Sequence, residues 1–110
     1  MTIDELIRDC HSAALKSCWW DSENDNFPTK LLLVHSELSE AVEEWRKDEL
    51  DNPLWYGEKG KPEGVAAELA DAVIRICDLA GRYSIPLERA IMEKMAFNST
   101  RSHRYGGKVA

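Results

Sequence analysis

The sequence predicts an all-α protein with four main helices. Three observations carry this. Apolar residues recur at spacings of three and four along most of the chain. No segment alternates apolar and polar residues with period two, so no sheet is expected. Residues 65–80 are Ala, Val, Ile, Leu or Cys at twelve of sixteen positions, the pattern of a helix covered on nearly every side. With 110 residues in all, one domain over residues 1–110 is expected. Three other helices can hardly cover residues 65–80 and also leave a cleft. The helix-bundle core should therefore be completed by homo-oligomerisation, with a dimer as the minimum and a tetramer, a dimer of dimers, expected.

Residues 3–18 read as the first helix, with Ile3, Leu6, Ile7, Cys10, Ala14 and Cys18 on its apolar face. Thr2, with Glu5 three residues on, has the capping-box pattern. Residues 19–26 are polar and turn-like apart from Trp19 and Trp20. Pro28 suits the start of a second helix reaching about Glu49. Its apolar face is Leu31, Val34, Leu38, Ala41, Val42 and Trp45, with Trp45 expected in the core. Residues 51–64 contain two prolines and three glycines and read as a loop that carries Trp55 and Tyr56. Pro62 is expected to open the third helix and Gly81 to cap its end. The fourth begins at Ser84-Ile85-Pro86 and runs to about Thr100, followed by a basic tail.

A net charge of −6 offers no basic face for a nucleic-acid strand, so none is expected as a partner. No apolar run reaches the ~18 residues of a membrane span, so no membrane partner is expected either. Met1 to Glu5 is acidic and lacks the basic start of a signal peptide. Cys10, Cys18 and Cys77 are odd in number and have no CxxC spacing, which fits free thiols in a reducing cytoplasm. Cys77, and Cys10 and Cys18 with it, read as small core residues.

The chemistry is expected where residues 65–80 are not apolar. Glu68, Asp71, Arg75 and Asp78 are the four exceptions, and at about 100° per residue they fall within an arc of roughly 80°. A carboxylate on an otherwise covered helix needs a partner. Upstream, Glu37, Glu40 and Glu44 share a face at i, i+3 and i+7. If the two helices pack antiparallel, Glu37, Glu40, Glu68 and Asp71 converge. Four such anions repel unless a cation sits among them, and oxygen-only ligands select Mg²⁺, with Mn²⁺ as a substitute. One ExxE alone is ordinarily a solvated helix face; two sets, one on so apolar a helix, favour the metal. On the fourth helix, Lys94, Asn98 and Arg101 share a face, with Arg104 and Lys108 beyond. Such a stripe either grips an anionic phosphate chain or complements the helix dipole. His35, one turn below the acidic pair, reads as an interior histidine rather than a ligand. His11 has no companion visible in the sequence.

ExxE, a gap of 27 residues, ExxD, then Lys-x3-Asn-x2-Arg and a Gly-Gly-Lys tail, in that order, resemble the MazG-like nucleoside triphosphate pyrophosphohydrolases. Lys61-Pro62-Glu63-Gly64-Val65 is similar to the approach to the third helix in short members of that family. The resemblance spans roughly residues 29–108. It implies Mg²⁺ held by Glu37, Glu40, Glu68 and Asp71, phosphates gripped by Lys94 and Arg101 with Asn98 beside them, and Lys108 as a further contact. It also implies a homodimer or tetramer with sites near the subunit interface. The tail departs from the family's Arg-Pro and His-Gly: this chain has Arg101-Ser102 and Tyr105-Gly106, with His103 two residues early.

The reaction implied is hydrolysis of (deoxy)nucleoside triphosphates to monophosphate and pyrophosphate, a house-cleaning of the nucleotide pool, with Glu37 or Glu40 as general base. Of the adjacent Trp19 and Trp20, which must point apart, one would stack on the base and the other fill the core. Trp55 and Tyr56 would close over substrate or pack on a neighbour. Two alternatives stand beside this reading. One is a narrow dUTPase or dCTPase of the same superfamily. The other is a non-catalytic helical assembly module that binds a structural metal.

Overall fold

In the computed structural model, which describes residues 1–101, α1 (Ile3–Lys16) opens as its sequence predicts. The Thr2 hydroxyl accepts the Glu5 N–H at 3.0 Å, and the Glu5 carboxylate accepts the Thr2 N–H at 2.6 Å. The helix stops two residues earlier than the periodicity implies. The Ser17 hydroxyl donates to the Ala14 carbonyl at 3.1 Å, and Cys18 turns the chain with φ at 65°. That turn swings Trp20 into the core, where it is buried. Asn26 caps α2 (Phe27–Asp48) by accepting the Thr29 N–H at 2.9 Å, with Pro28 in the first turn.

Residues 51–64 are more structured than a plain loop, contrary to the expectation of no sheet. β1 (Trp55–Tyr56) and β2 (Pro62–Glu63) pair antiparallel, with Trp55 opposite Glu63 and Tyr56 opposite Pro62, around a 3₁₀ turn at Glu58–Gly60. Two-residue strands are too short to show a period. Pro62 thus lies in a strand and does not open the third helix. That role falls to Gly64, at φ 100°, after which α3 (Val65–Arg82) begins. The Ala66 N–H bonds the Pro53 carbonyl at 2.8 Å, and a Cβ on Gly64 would lie 2.6 Å from that oxygen. Both the backbone angle and the close approach require glycine.

α3 is the central element, packed against α2 on one side and α1 on the other. Toward α1, Ile7, Cys10, Cys77 and Ala80 form one buried cluster, closed by Ile3, Leu6 and Leu87. Toward α2, Trp20, Val34, Ala72 and Leu79 form the other. Gly81 is inside α3 rather than at its cap: a Cβ there would meet the His11 Cβ at 2.7 Å, so it sets how closely α1 approaches. Ser84, at φ 55°, makes the turn to α4 (Leu87–Ser99).

The single chain does not cover its apolar surface. On α3, Leu69, Val73, Ile74 and Ile76 are exposed by a third to a half, so the helix is not buried all round as its composition predicts. On α2, the buried positions are Lys30, Val34, Glu37 and Ala41. Leu31, Leu38 and Val42 stay exposed, and Trp45, expected in the core, is 46% exposed. No residue of α4 is buried; Met92, Met95 and Phe97 face outward. Among the described residues, no helix is long and apolar enough to cross a membrane.

Candidate metal centre

The packing of α2 on α3 brings Glu37, Glu40 and Glu68 together, each offering a carboxylate oxygen within 4.8 Å of the others. Glu37 sits on the buried stripe of α2, three residues after Val34 and four before Ala41, and is only 6% exposed. The helical period therefore forces a carboxylate into the interface. Among the described residues, its Oε2 has no hydrogen-bond partner, and neither has Oε2 of Glu68. The nearest cation to Glu37 is Arg75, with Nε 3.6 Å from Oε2, close enough for an ion pair but too far for a hydrogen bond.

Crowding shows in the acidities. Glu68 is pushed up to about 7, by burial first, then by a hydrogen bond to Glu40 that needs the proton, then by the charges of Glu40, Glu37 and Asp71. Burial also raises Glu37; Arg75 works against this, and Glu40 and Asp71 reinforce it. The set suits a small hard dication: it is anionic, oxygen-only, and contains buried oxygens that the described residues leave unbonded.

Other residues predicted for the site fall differently. Asp71 is exposed and stands outside the group of three, near enough to act on it by charge. Its side chain lines a cavity of about 350 Å³ between α1 and α3, shared with Cys10, Trp19, Ile74, Arg75 and Asp78. Lys94 and Arg101 share a face, both within 6 Å of the Phe97 ring centre at 5.9 and 5.7 Å. Among the described residues, no ion pair joins either to the carboxylates. Asn98 is exposed beside them, and Lys108, like His103 and Tyr105, lies outside the described residues. His35 is exposed rather than interior. Tyr56 is exposed and Trp55 half-buried.

The tryptophan pair divides as adjacency requires. Trp20 is a core residue whose indole N–H donates to both oxygens of Asp78, at 3.1 and 3.0 Å. Its ring meets Tyr83 edge-on at 5.9 Å, so it offers no stacking face to a ligand. Trp19 lines the cavity, but Lys30 Nζ at 3.8 Å and the Arg75 guanidinium at 4.5 Å already stand over its ring. The sequence reading missed His11, whose Nδ1 lies 2.8 Å from Asp78 Oδ1. The signal was Asp78 itself, a charged residue in an apolar run, but nothing in the sequence names a partner 67 residues away.

No family model, no curated protein and no solved structure matches this chain.

Proposed function

We propose that this protein hydrolyses (deoxy)nucleoside triphosphates to the monophosphate and pyrophosphate, using Mg²⁺ held by Glu37, Glu40 and Glu68, with Asp71 beside them. The observation that carries this is the meeting of three carboxylates where α2 packs on α3, with Glu40 exposed, Glu68 half-buried, and Glu37 buried with an Oε2 that lacks a partner among the described residues. It supports a cation site, and the resemblance of the ExxE and ExxD pattern to MazG-like enzymes supplies the reaction. When bound, Mg²⁺ would neutralise phosphate oxygens and acidify a water. The chain's own part is to orient that water and take its proton. Glu37 and Glu40, adjacent on one helix face, suit those two tasks. Attack on the α-phosphorus then expels pyrophosphate.

The phosphate grip assigned to Lys94, Asn98 and Arg101 is a role for a second copy. α4 makes its main contact with α1, where the Asp4 N–H donates to Glu88 at 3.1 Å. Among the described residues, neither Lys94 nor Arg101 has an ion pair to Glu37, Glu40, Glu68 or Asp71. The exposed apolar residues of α2, α3 and α4 supply the surface on which a homodimer would form. A panel of NTPs and dNTPs with Mg²⁺, assayed for pyrophosphate, tests the reaction and separates broad from narrow dUTPase or dCTPase specificity. Release of orthophosphate in place of pyrophosphate would overturn the bond assigned, and no Mg²⁺-dependent release from any nucleotide would favour the non-catalytic metal-binding module instead.

A further inference from the structure

Arg75 holds the one charge on the α3 stripe opposite in sign to its neighbours, and its two contacts differ in quality. The guanidinium carbon lies 4.5 Å from the Trp19 ring centre, a close cation–π approach. Its Nε lies 3.6 Å from Glu37 Oε2, and both atoms are buried with no hydrogen bond among the described residues. Trp19 is in turn pinned by Lys30, whose Nζ donates to the Trp19 carbonyl at 2.7 Å and pairs with Asp25 at 3.2 Å. The aromatic platform, not Glu37, thus fixes the guanidinium. Its charge offsets the carboxylates, while the lone pairs of Glu37 Oε2 stay free for a ligand.

We propose that Arg75 is the built-in counter-ion of the carboxylate cluster: it supplies positive charge when no divalent cation is bound, and its charge opposes that cation when one enters. This rests on the metal reading above. Arg75 also lines the cavity beside Asp71. An anionic ligand there would draw its charge away from Glu37, so anion and metal would each improve the binding of the other.

Calorimetric titration of the full chain with Mn²⁺ alone, without nucleotide, tests this. Arg75→Gln should bind Mn²⁺ roughly tenfold tighter than wild type, the scale of removing one charge a few ångströms from a cation. Arg75→Lys, which keeps the charge, should stay near wild type. Arg75→Met, which preserves packing on Trp19, takes the place of Arg75→Gln if the latter misfolds. A residue that merely props up Glu37 would give the opposite sign. Unchanged or weaker Mn²⁺ binding in the neutral variants, with wild type binding normally, overturns the role of Arg75 alone. Absence of Mn²⁺ binding in wild type and variants alike overturns the metal reading and this inference together.

Discussion

Glu37 and Asp78 are both buried carboxylates at the two interfaces of α3, and the chain treats them oppositely. Asp78, 3% exposed, receives hydrogen bonds from the Trp20 indole at 3.1 and 3.0 Å and lies 2.8 Å from His11 Nδ1. Glu37, 6% exposed, has an oxygen with no hydrogen-bond partner among the described residues and a cation that stops at 3.6 Å. Burying an anion is costly without partners. Where the fold supplies them, the carboxylate ties helices together. Where the described residues withhold them and add two more carboxylates, the proposed cation would supply the remaining partner.

The largest effect expected follows from that contrast. Glu37→Gln and Glu68→Gln should each lower kcat by ~10²-fold or more, the scale of losing a key electrostatic group. Asp71→Asn should lose less, because Asp71 stands outside the group of three. Helical content by circular dichroism should not change, and the metal-free melt should hold or rise as repulsion is relieved. Near-normal turnover in either glutamine variant would break the comparison at the Glu37 end.

Asp78→Ala should do the reverse. It strands the Trp20 N–H in the core and removes the carboxylate that meets His11 Nδ1, so unfolding in urea should report a loss of about 3 kcal/mol. Turnover measured well below the melt should stay within a few-fold of wild type. A stable Asp78→Ala protein without activity would move Asp78 from the scaffold into the site.

Much of this was legible in the sequence, for reasons that also mark where legibility ends. Caps and periodic faces are local, so the Thr2 cap, the start at Pro28 and the four helices could be read from neighbours in sequence. The meeting of Glu37, Glu40 and Glu68 could be read because two i, i+3 pairs on helices imply faces, and faces imply packing. Pro62 and Gly81 misled because each residue suits two local roles. The pairing of Pro62 with Tyr56 in one case and the close approach of His11 in the other decide between them. Trp45, exposed in one chain, has an apolar spacing that fixes a face but not what covers it. The link between His11 and Asp78 joins elements through tertiary contact alone, and no spacing encodes it.

Proton and metal should compete at the Glu37 end and not at the Asp78 end. Glu68 is raised from 4.5 to about 7. Between those values the folded chain holds a proton that the unfolded chain has released, so metal-free stability falls as pH rises from about 4.5 to 7. A divalent cation needs that proton gone. Mn²⁺ should therefore raise the melting temperature more at pH 8 than at pH 5.5, by a few degrees. Glu68→Gln should flatten both trends, and a Mn²⁺ effect independent of pH would remove Glu68 from the cluster.

The smallest effect is the most discriminating, because the two tryptophans serve the two carboxylates separately. Trp20→Phe keeps a buried ring but removes the N–H that both Asp78 oxygens share. It should cost about 1–3 kcal/mol in stability, the range for a buried acceptor losing its donor, with Mn²⁺ affinity unchanged. Trp19→Phe keeps a ring under Lys30 and Arg75 but weakens the cation–π contact, by about 0.5–1 kcal/mol. A guanidinium held less firmly on its platform can close on Glu37, so Mn²⁺ should bind somewhat more weakly while stability changes little. Urea unfolding and Mn²⁺ calorimetry on the same two proteins should then separate cleanly, stability moving with Trp20 and metal affinity with Trp19. If both variants lost stability and metal affinity in parallel, the two ends of α3 would form one coupled network, and the division between a satisfied and an unsatisfied carboxylate would not hold.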